Sequence, residues 1–384
     1  MADLPLFLQK ISEAVERKPS IPTTITSLQP IWDSYLSRLR SDIPEINIEG
    51  GGESVVLGTL SPGCQACKAG MWDCIFLSNR CNLRCAFCYS PLSIPEGYIG
   101  SPFGSSLDEI IGNYARVDIR GVSFSGGEPF LEPDKLCSWL RGLVSHFPDM
   151  YYLVYTNGLL LNEAILQKLS ELGLNEIRIN AAATSYDHPK ILSLIELCAH
   201  WIENVTVEIP AIPEHADRLL ASITKWSQKG VKYLNLHELI FEPGTLSASM
   251  EGPRQVIITE DGHETAFHLH SREIIFNVMQ KVRDEGIHLS VNDCSMQSKL
   301  CQVRSRRRSL LPLVKEKFEK FLEERLFEAY AAYKGPDGFF FHPDSLKDIR
   351  SRFPDWQFVR VARRAPLYPS TPHEWVIFEK LSPR

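Results

Sequence analysis

The chain has 384 residues, 44% of them hydrophobic and 23% charged, with a formal net charge of −6. This is the composition of a globular protein long enough for one large α/β domain with additions, or for two domains. The acidic balance argues against a nucleic-acid binder, and no stretch approaches the ~20 apolar residues of a bilayer span. Ten cysteines follow an N-terminus, Met1-Ala2-Asp3-Leu4-Pro5, that lacks the basic and apolar regions of a signal peptide. Together they predict a reducing cytoplasm, and cysteines used for metal rather than for disulfides.

In chain order, residues 1–57 read as a helical N-terminal extension. Residues 6–15 have helical periodicity, and residues 27–39 carry Ile31, Tyr35 and Leu39 on one side. Gly50-Gly51-Gly52 is a turn, since no Lys-Ser/Thr follows at phosphate-loop spacing. Residues 58–300 alternate short apolar runs with amphipathic stretches. Strands are predicted at 72–78, 121–125, 151–156, 176–181, 205–209 and 233–239, with helices at 107–117, 135–147, 163–172, 189–201 and 216–230 between them. Six strand–helix units predict parallel strands joined by right-handed crossovers. Six is short of the eight of a closed (β/α) barrel, so the fold expected is an α/β, partial (β/α)6 barrel. A hairpin is expected at 255–268, followed by a helix at 271–285 and a strand at 287–291. Residues 301–384 read as an α+β cover: a basic run (Arg304, Arg306, Arg307, Arg308), a long helix at 313–333, and strands at 339–341, 357–361 and 375–378. The arginines suit a solvated surface or, with Arg360, Arg363 and Arg364, an anion clamp. Pro372-His373-Glu374-Trp375 is either a cap over the barrel or a packed tail.

Chemistry concentrates in two places. Residues 81–88, Cys-Asn-Leu-Arg-Cys-Ala-Phe-Cys, set three thiols, Cys81, Cys85 and Cys88, in one short loop after the first strand. They cannot pair without leaving one over, but they can converge on an iron–sulfur cluster and leave one iron open for chemistry. One strand–helix unit later stands Ser125-Gly126-Gly127-Glu128-Pro129, two glycines that permit close backbone approach and a carboxylate suited to an ammonium group. The C-x3-C-x2-C spacing with Phe87 before the third cysteine, followed in order by Gly-Gly-Glu-Pro, resembles the radical S-adenosylmethionine (SAM) superfamily. That resemblance implies a [4Fe-4S] cluster on the three cysteines and SAM held by Ser125, Gly126, Gly127 and Glu128. It also implies reductive cleavage of SAM to a 5′-deoxyadenosyl radical, hydrogen abstraction from a substrate at the barrel mouth, oxygen sensitivity, and an electron donor such as flavodoxin or ferredoxin. Softer matches name Asn157 in Thr156-Asn157-Gly158, Asn180, Ser185 and Glu208 as further SAM contacts. On the sixth strand, alternation places Asn235, His237 and Leu239 on one face, with His237 facing substrate or packed in the core.

A second metal is the less ordinary expectation. Cys64 and Cys67 form a C-x2-C knuckle with Cys74 seven residues on, and Cys294 and Cys301 follow the last barrel strand. Four of these would make a site for zinc, iron or a second cluster. Cys137 and Cys198 read as buried small hydrophobes. The Ser61-Pro62-Gly63-Cys64-x2-Cys67 lead-in resembles archaeal proteins related to pyruvate formate-lyase activating enzyme and the radical SAM arginine methylase of methyl-coenzyme M reductase. The likeness covers about residues 61–90. The methylase branch implies cobalamin, but no Asp-x-His-x-x-Gly motif stands in the sequence. The function expected is modification or activation of a peptide or protein by hydrogen abstraction. The alternatives are a small-molecule rearrangement, elimination or methylation and, in another class, a non-catalytic metal scaffold.

Overall fold

The computed structural model describes residues 29–49, 54–258, 264–309, 314–322, 326–335, 337–364 and 374–381. The helix expected at 6–15, Gly50, Gly51, Gly52, Pro372 and His373 lie outside these residues, as do the side chains of Cys301, Arg304, Arg306, Arg307, Arg308, Arg364 and Trp375. Residues Thr24–Ser305 form one compact unit, and Arg306–Arg384 belong to a second.

The first unit begins with helix α1 (Gln29–Asp42), strands β1 (Ile46–Glu49) and β2 (Ser54–Leu57), and the short helix α2 (Pro62–Lys68). The strand–helix rhythm then runs β3 (Trp72–Ser78), α3 (Leu107–Tyr114), β4 (Gly121–Gly126), α4 (Pro133–His146), β5 (Tyr151–Thr156), α5 (Glu163–Glu171), β6 (Glu176–Ile179), α6 (Pro189–Trp201), β7 (Asn204–Ala211), α7 (Ala216–Gln228) and β8 (Tyr233–Glu238). Helix starts are set locally: Ser106 and Glu109 form a capping box on α3, and Asn162 accepts from Ile165 N on α5. After β9 (Ile240–Phe241), β10 (Arg254–Ile258) and β11 (Glu264–His268) come helix α8 (Ser271–Asp284), β12 (Ser290–Asp293) and helix α9 (Met296–Ser309).

The main sheet has the order β1-β2-β12-β8-β7-β6-β5-β4-β3. The six expected strands lie side by side and parallel. A seventh parallel strand, β12, pairs β8 three residues later in sequence than expected, and the antiparallel β2 pairs β12. The sheet does not close: β3 and β1 are its edges. Burial explains the pattern. On β3, Ile75 and Leu77 are fully buried on one face while Cys74 and Phe76 are half-buried on the other. On β6, Ile177 and Ile179 alternate with Glu176 and Arg178, and all four are buried. One face of the sheet is therefore apolar and contributes roughly 1.5–3 kcal/mol per buried side chain. The other encloses charge. Among the described residues no helix is long and apolar enough to cross a membrane.

The second unit is a five-stranded antiparallel sheet of β13 (Lys320–Phe321), β14 (Leu326–Lys334), β15 (Asp337–Phe341), β16 (Gln357–Arg364) and β17 (Glu374–Lys380), with helix α10 (Leu346–Arg352) between β15 and β16. Here the expected long helix at 313–333 is wrong. Phe327, Ala329 and Ala331 alternate inward, and β14 is paired along both edges. Sheet context overrides the helix preference of an Ala-rich run. Two of the arginines suggested for an anion clamp already hold carboxylates: Arg360 pairs with Glu328, and Arg363 with Glu319. The Arg363–Glu319 pair is fully buried, with Arg363 Nη2 at 2.6 Å from Glu319 Oε2. Glu319→Ala would strand that guanidinium, and should cost the C-terminal unit about 3–5 kcal/mol. A lowered urea midpoint followed by tryptophan fluorescence measures it; an unchanged midpoint would contradict the burial.

Candidate SAM and iron–sulfur site

The thiol loop leaves β3 at Ser78 and is closed at its neck. Asn79 N donates to Glu96 O at 2.9 Å, Asn79 Nδ2 to Ile94 O at 2.9 Å, and Phe76 and Gly100 exchange backbone hydrogen bonds. Its far side is braced by the turn after β9, where Ser247 N donates to Cys88 O and Leu92 N to Gly244 O, both at 3.0 Å. Phe87 packs against Ile212, Leu239, Phe241 and Ala266, so the aromatic residue before the third cysteine is the loop's apolar anchor. Cys81 is exposed; Cys85 and Cys88 are half-buried. Burial, then the Cys88 and Cys81 thiols, push Cys85 up to about 11. Burial raises Cys81 as well. Thiols that hinder one another's ionisation share one space, and an iron cluster placed there would replace their protons and remove the conflict. The loop fits the group the sequence implied.

The glycines of the second motif have a close backbone neighbour within the protein. A Cβ on Gly126 would lie 2.0 Å from Ser78 O, and Gly126 has φ +120°. A Cβ on Gly127 would lie 1.9 Å from Arg80 O. Gly127 N donates to Ser78 O at 2.8 Å and Glu128 N to Arg80 O at 2.7 Å. The side-chain-free segment is spliced onto the backbone that opens the thiol loop. Glu128 is also committed to protein: Oε1 accepts from Thr156 Oγ1 at 2.8 Å and Phe130 N at 3.2 Å, and Oε2 from Asn157 N at 2.8 Å. Burial raises its pKa against those three donors. These bonds make the carboxylate a bracket that holds the β5 end, and leave it one acceptor position for the ammonium expected there. Asn157 Nδ2 then donates to Asn82 Oδ1 at 2.7 Å, returning to the thiol loop. Ser125 lies half-buried at the end of β4. Asn180 caps the 3-10 turn after β6 by accepting from Ala183 N, and Ser185 follows with φ 65° beside Tyr186 at φ 62°. Two successive non-glycine residues in the left-handed region are costly and recur at ligand sites.

The remaining expected residues gather in the polar chamber enclosed by the sheet. Arg178 is its centre: Nε donates to Glu176 Oε1 at 2.7 Å, Nη1 to Glu208 Oε2 at 2.8 Å and to Tyr155 Oη at 3.1 Å, and Nη2 to Cys64 Sγ at 3.3 Å. Asn235 Nδ2 donates to Glu208 Oε2 at 2.9 Å and to Cys64 Sγ at 3.3 Å. Burial opposes the charge on Glu208, but Arg178 and Asn235 outweigh it and its pKa falls. Cys64 is therefore held by donors within the chamber. Cys67 is raised by burial and then by its neighbours Cys294 and Cys64. Cys74 faces Tyr155 and Tyr89 electrostatically. Four of the five cysteines expected at a second metal thus look into one space; the Cys301 side chain lies outside the described residues. Among the described residues no three His, Cys, Asp or Glu side chains are close enough to hold a single metal ion.

His237 shares the Asn235 face, as alternation required. Its Nδ1 lies 2.9 Å from Glu238 O, its ring stands edge-on to Tyr89 at 5.9 Å, and burial with Lys299 brings its pKa down to about 4. Sequence reasoning missed Arg178, Tyr89 and Lys299. The signal for Arg178 was there: Glu176 and Arg178 at period two on a strand otherwise made of isoleucine.

Residues 75–231 match the family model described as the Radical SAM superfamily. A Methanocaldococcus jannaschii protein named as a candidate glycyl-radical enzyme activating enzyme is 30% identical over 193 residues, 47% of this chain and 51% of that one. A Granulibacter bethesdensis PqqA peptide cyclase is 30% identical over 106 residues, 27% of each chain. An Aquifex aeolicus GTP 3′,8-cyclase is 30% identical over 114 residues, 28% of this chain and 33% of that one. The chain spans about half the length of the first of these relatives and less of the other two.

Gly127→Ala should push Arg80 away and open the splice. Anaerobically reconstituted protein should then lose most of its iron, at least tenfold relative to a Gly112→Ala control whose Cβ meets nothing within 4 Å; equal iron contents would show the splice to be dispensable. His237 gives a pH signature. The unfolded imidazole takes a proton near ~6.5 that the folded one refuses until about 4. Stability is therefore full above pH 6.5 and falls as the pH drops toward 4, by up to about 3 kcal/mol. His237→Gln should flatten that decline in a melting-temperature series.

Proposed function

We propose that the chain, whose residues 75–231 match the Radical SAM superfamily, is a radical SAM enzyme that modifies or activates a peptide or protein by hydrogen abstraction. The observation that carries the enzymatic reading is the splice of Gly127 and Glu128 onto Ser78 and Arg80, which makes the thiol loop and the candidate SAM segment one rigid piece. Cys81, Cys85 and Cys88 would hold a [4Fe-4S] cluster. Ser125, the Gly126–Gly127 backbone, Asn157, Asn180 and Ser185 would hold SAM, with Glu128 keeping the β5 end in register for it. Bound together, cluster and SAM supply a 5′-deoxyadenosyl radical once an electron arrives from a donor such as flavodoxin or ferredoxin. The chain's own work is to position the cofactor and to keep water from the reacting centre.

Two features support a peptide. Relatives are named for a glycyl-radical enzyme and for a peptide. Tyr89, Leu92, Leu159 and Leu160 are also exposed apolar residues on loops that leave the C-terminal ends of β3 and β5, side chains suited to contact with a polypeptide. A small-molecule substrate is the second reading, favoured by the GTP 3′,8-cyclase likeness and by the charged chamber around Arg178.

Reconstituted enzyme given dithionite and SAM should form 5′-deoxyadenosine, and a peptide pool should accelerate it. Acceleration by a nucleotide pool instead would move the assignment to the second reading; S-adenosylhomocysteine would indicate methyl transfer. No SAM cleavage at all would overturn the enzymatic reading. A second metal is tested separately in a Cys81/Cys85/Cys88 triple alanine variant: iron or zinc retained there places it at the chamber thiols, and none retained removes it.

A further inference from the structure

Lys299 lies in the first turn of α9, just past the C-terminal end of β12 and hence at the same end of the sheet as the thiol loop. Its ammonium sits 5.7 Å from the centroid of the Tyr89 ring, next to the third cysteine of that loop. Among the described residues it has no carboxylate partner and donates no hydrogen bond. The acid of the chamber, Glu208, is already bonded to Arg178 and Asn235. His237, whose ring also meets Tyr89, cannot answer the charge, because an imidazole is neutral or cationic and never an anion. Glu208 and the thiols of Cys294 and Cys67 act on this half-buried ammonium through space, but among the described residues none is bonded to it, so beside the Tyr89 ring it keeps its donors for a further oxygen ligand.

We propose that Lys299 anchors a carboxylate of the substrate inside the barrel, beside Tyr89, so that this enzyme acts on an acidic peptide or another carboxylate-bearing molecule. The inference rests on the radical SAM reading, and it names the substrate class that the reading leaves open. SAM also carries a carboxylate, but apart from Glu208 on β7, which accepts from Arg178 and Asn235, its candidate contacts lie at the ends of β4, β5 and β6. Lys299 follows β12, which the sheet order separates from β6 by β7 and β8. A cofactor held on the first wall and a carboxylate held on the second are two molecules. An ion pair to a half-buried ammonium exceeds the small net value of a fully exposed pair. Lysine, a compact point charge, sets no bidentate geometry, so arginine should serve in its place.

The test uses two capped tripeptides, acetyl-Ala-Glu-Ala-amide and acetyl-Ala-Gln-Ala-amide, titrated calorimetrically into reconstituted, SAM-loaded enzyme. Wild type should bind the glutamate peptide at least tenfold more tightly than the glutamine peptide. Lys299→Met should lose that preference, and Lys299→Arg should keep it. Equal binding of the two peptides by wild type, or no binding of either, would overturn the proposal without recourse to a variant. So would a Lys299→Met variant that keeps the preference, or one that weakens both peptides alike, which a purely structural lysine would do. A tenfold weaker SAM affinity in Lys299→Met with the peptide preference intact would assign Lys299 to the cofactor's carboxylate and equally overturn it. Wild-type 5′-deoxyadenosine formation is read in parallel. Its absence would sink the enzymatic reading while leaving the peptide preference interpretable as a binding result.

Discussion

Two backbone hydrogen bonds, Gly127 N to Ser78 O and Glu128 N to Arg80 O, hold together what the sequence keeps nearly fifty residues apart. They form because neither Gly126 nor Gly127 has a side chain, and the carbonyls of Ser78 and Arg80 occupy the space that one would fill. From this join the rest of the site is propagated by side chains. Glu128 carries it to Thr156 and Asn157, and Asn157 carries it back to Asn82 in the thiol loop. The result is a closed ring of contacts through the ends of β3, β4 and β5. Ligand-binding side chains on separate loops would pay conformational entropy independently; here they share one constraint.

Beneath that ring the sheet encloses charge rather than a hydrocarbon core. One guanidinium, Arg178, is shared between Glu176 and Glu208 and also reaches Tyr155 and Cys64. Each of these groups would be costly to bury alone, and each is tolerated because the others satisfy it. The chamber is stiff for the same reason: moving one strand breaks bonds to several others. Helix α2 takes part through Ser61 and Cys64, so the cysteine-rich lead-in belongs to the barrel's interior rather than to a separate appendage.

The parallel sheet was legible because apolar runs of strand length recur between amphipathic stretches, and strand–helix alternation has few topological solutions. The thiol loop and the Gly-Gly-Glu segment were legible because spacing and order constrain them. Their partners were not. A glycine announces that something comes close, but only the fold reveals that Ser78 and Arg80 do. The donors to Glu128 were not visible because Thr156 and Asn157 arrive from the neighbouring strand. Arg178 and Lys299 were missed because linear sequence does not distinguish the inside of a barrel from solvent. Residues 326–334 read as helix because Ala, Lys and Glu favour one, and the pairing on both edges that decides otherwise comes from residues up to 364.

The anchoring of Phe87 has a consequence for the order of events during synthesis. The apolar seat it occupies is built from Ile212, Leu239, Phe241 and Ala266, and the loop's outer brace is at Gly244 and Ser247. A ribosome that has released all three cysteines has therefore not yet made the residues that hold them in place. Chains emerge from the N-terminus onward, so the loop must wait for some 180 further residues before it is shaped to receive a cluster. Cluster insertion is thus a late step of maturation, and truncation of the chain anywhere before β11 would leave three thiols present in full but without a site.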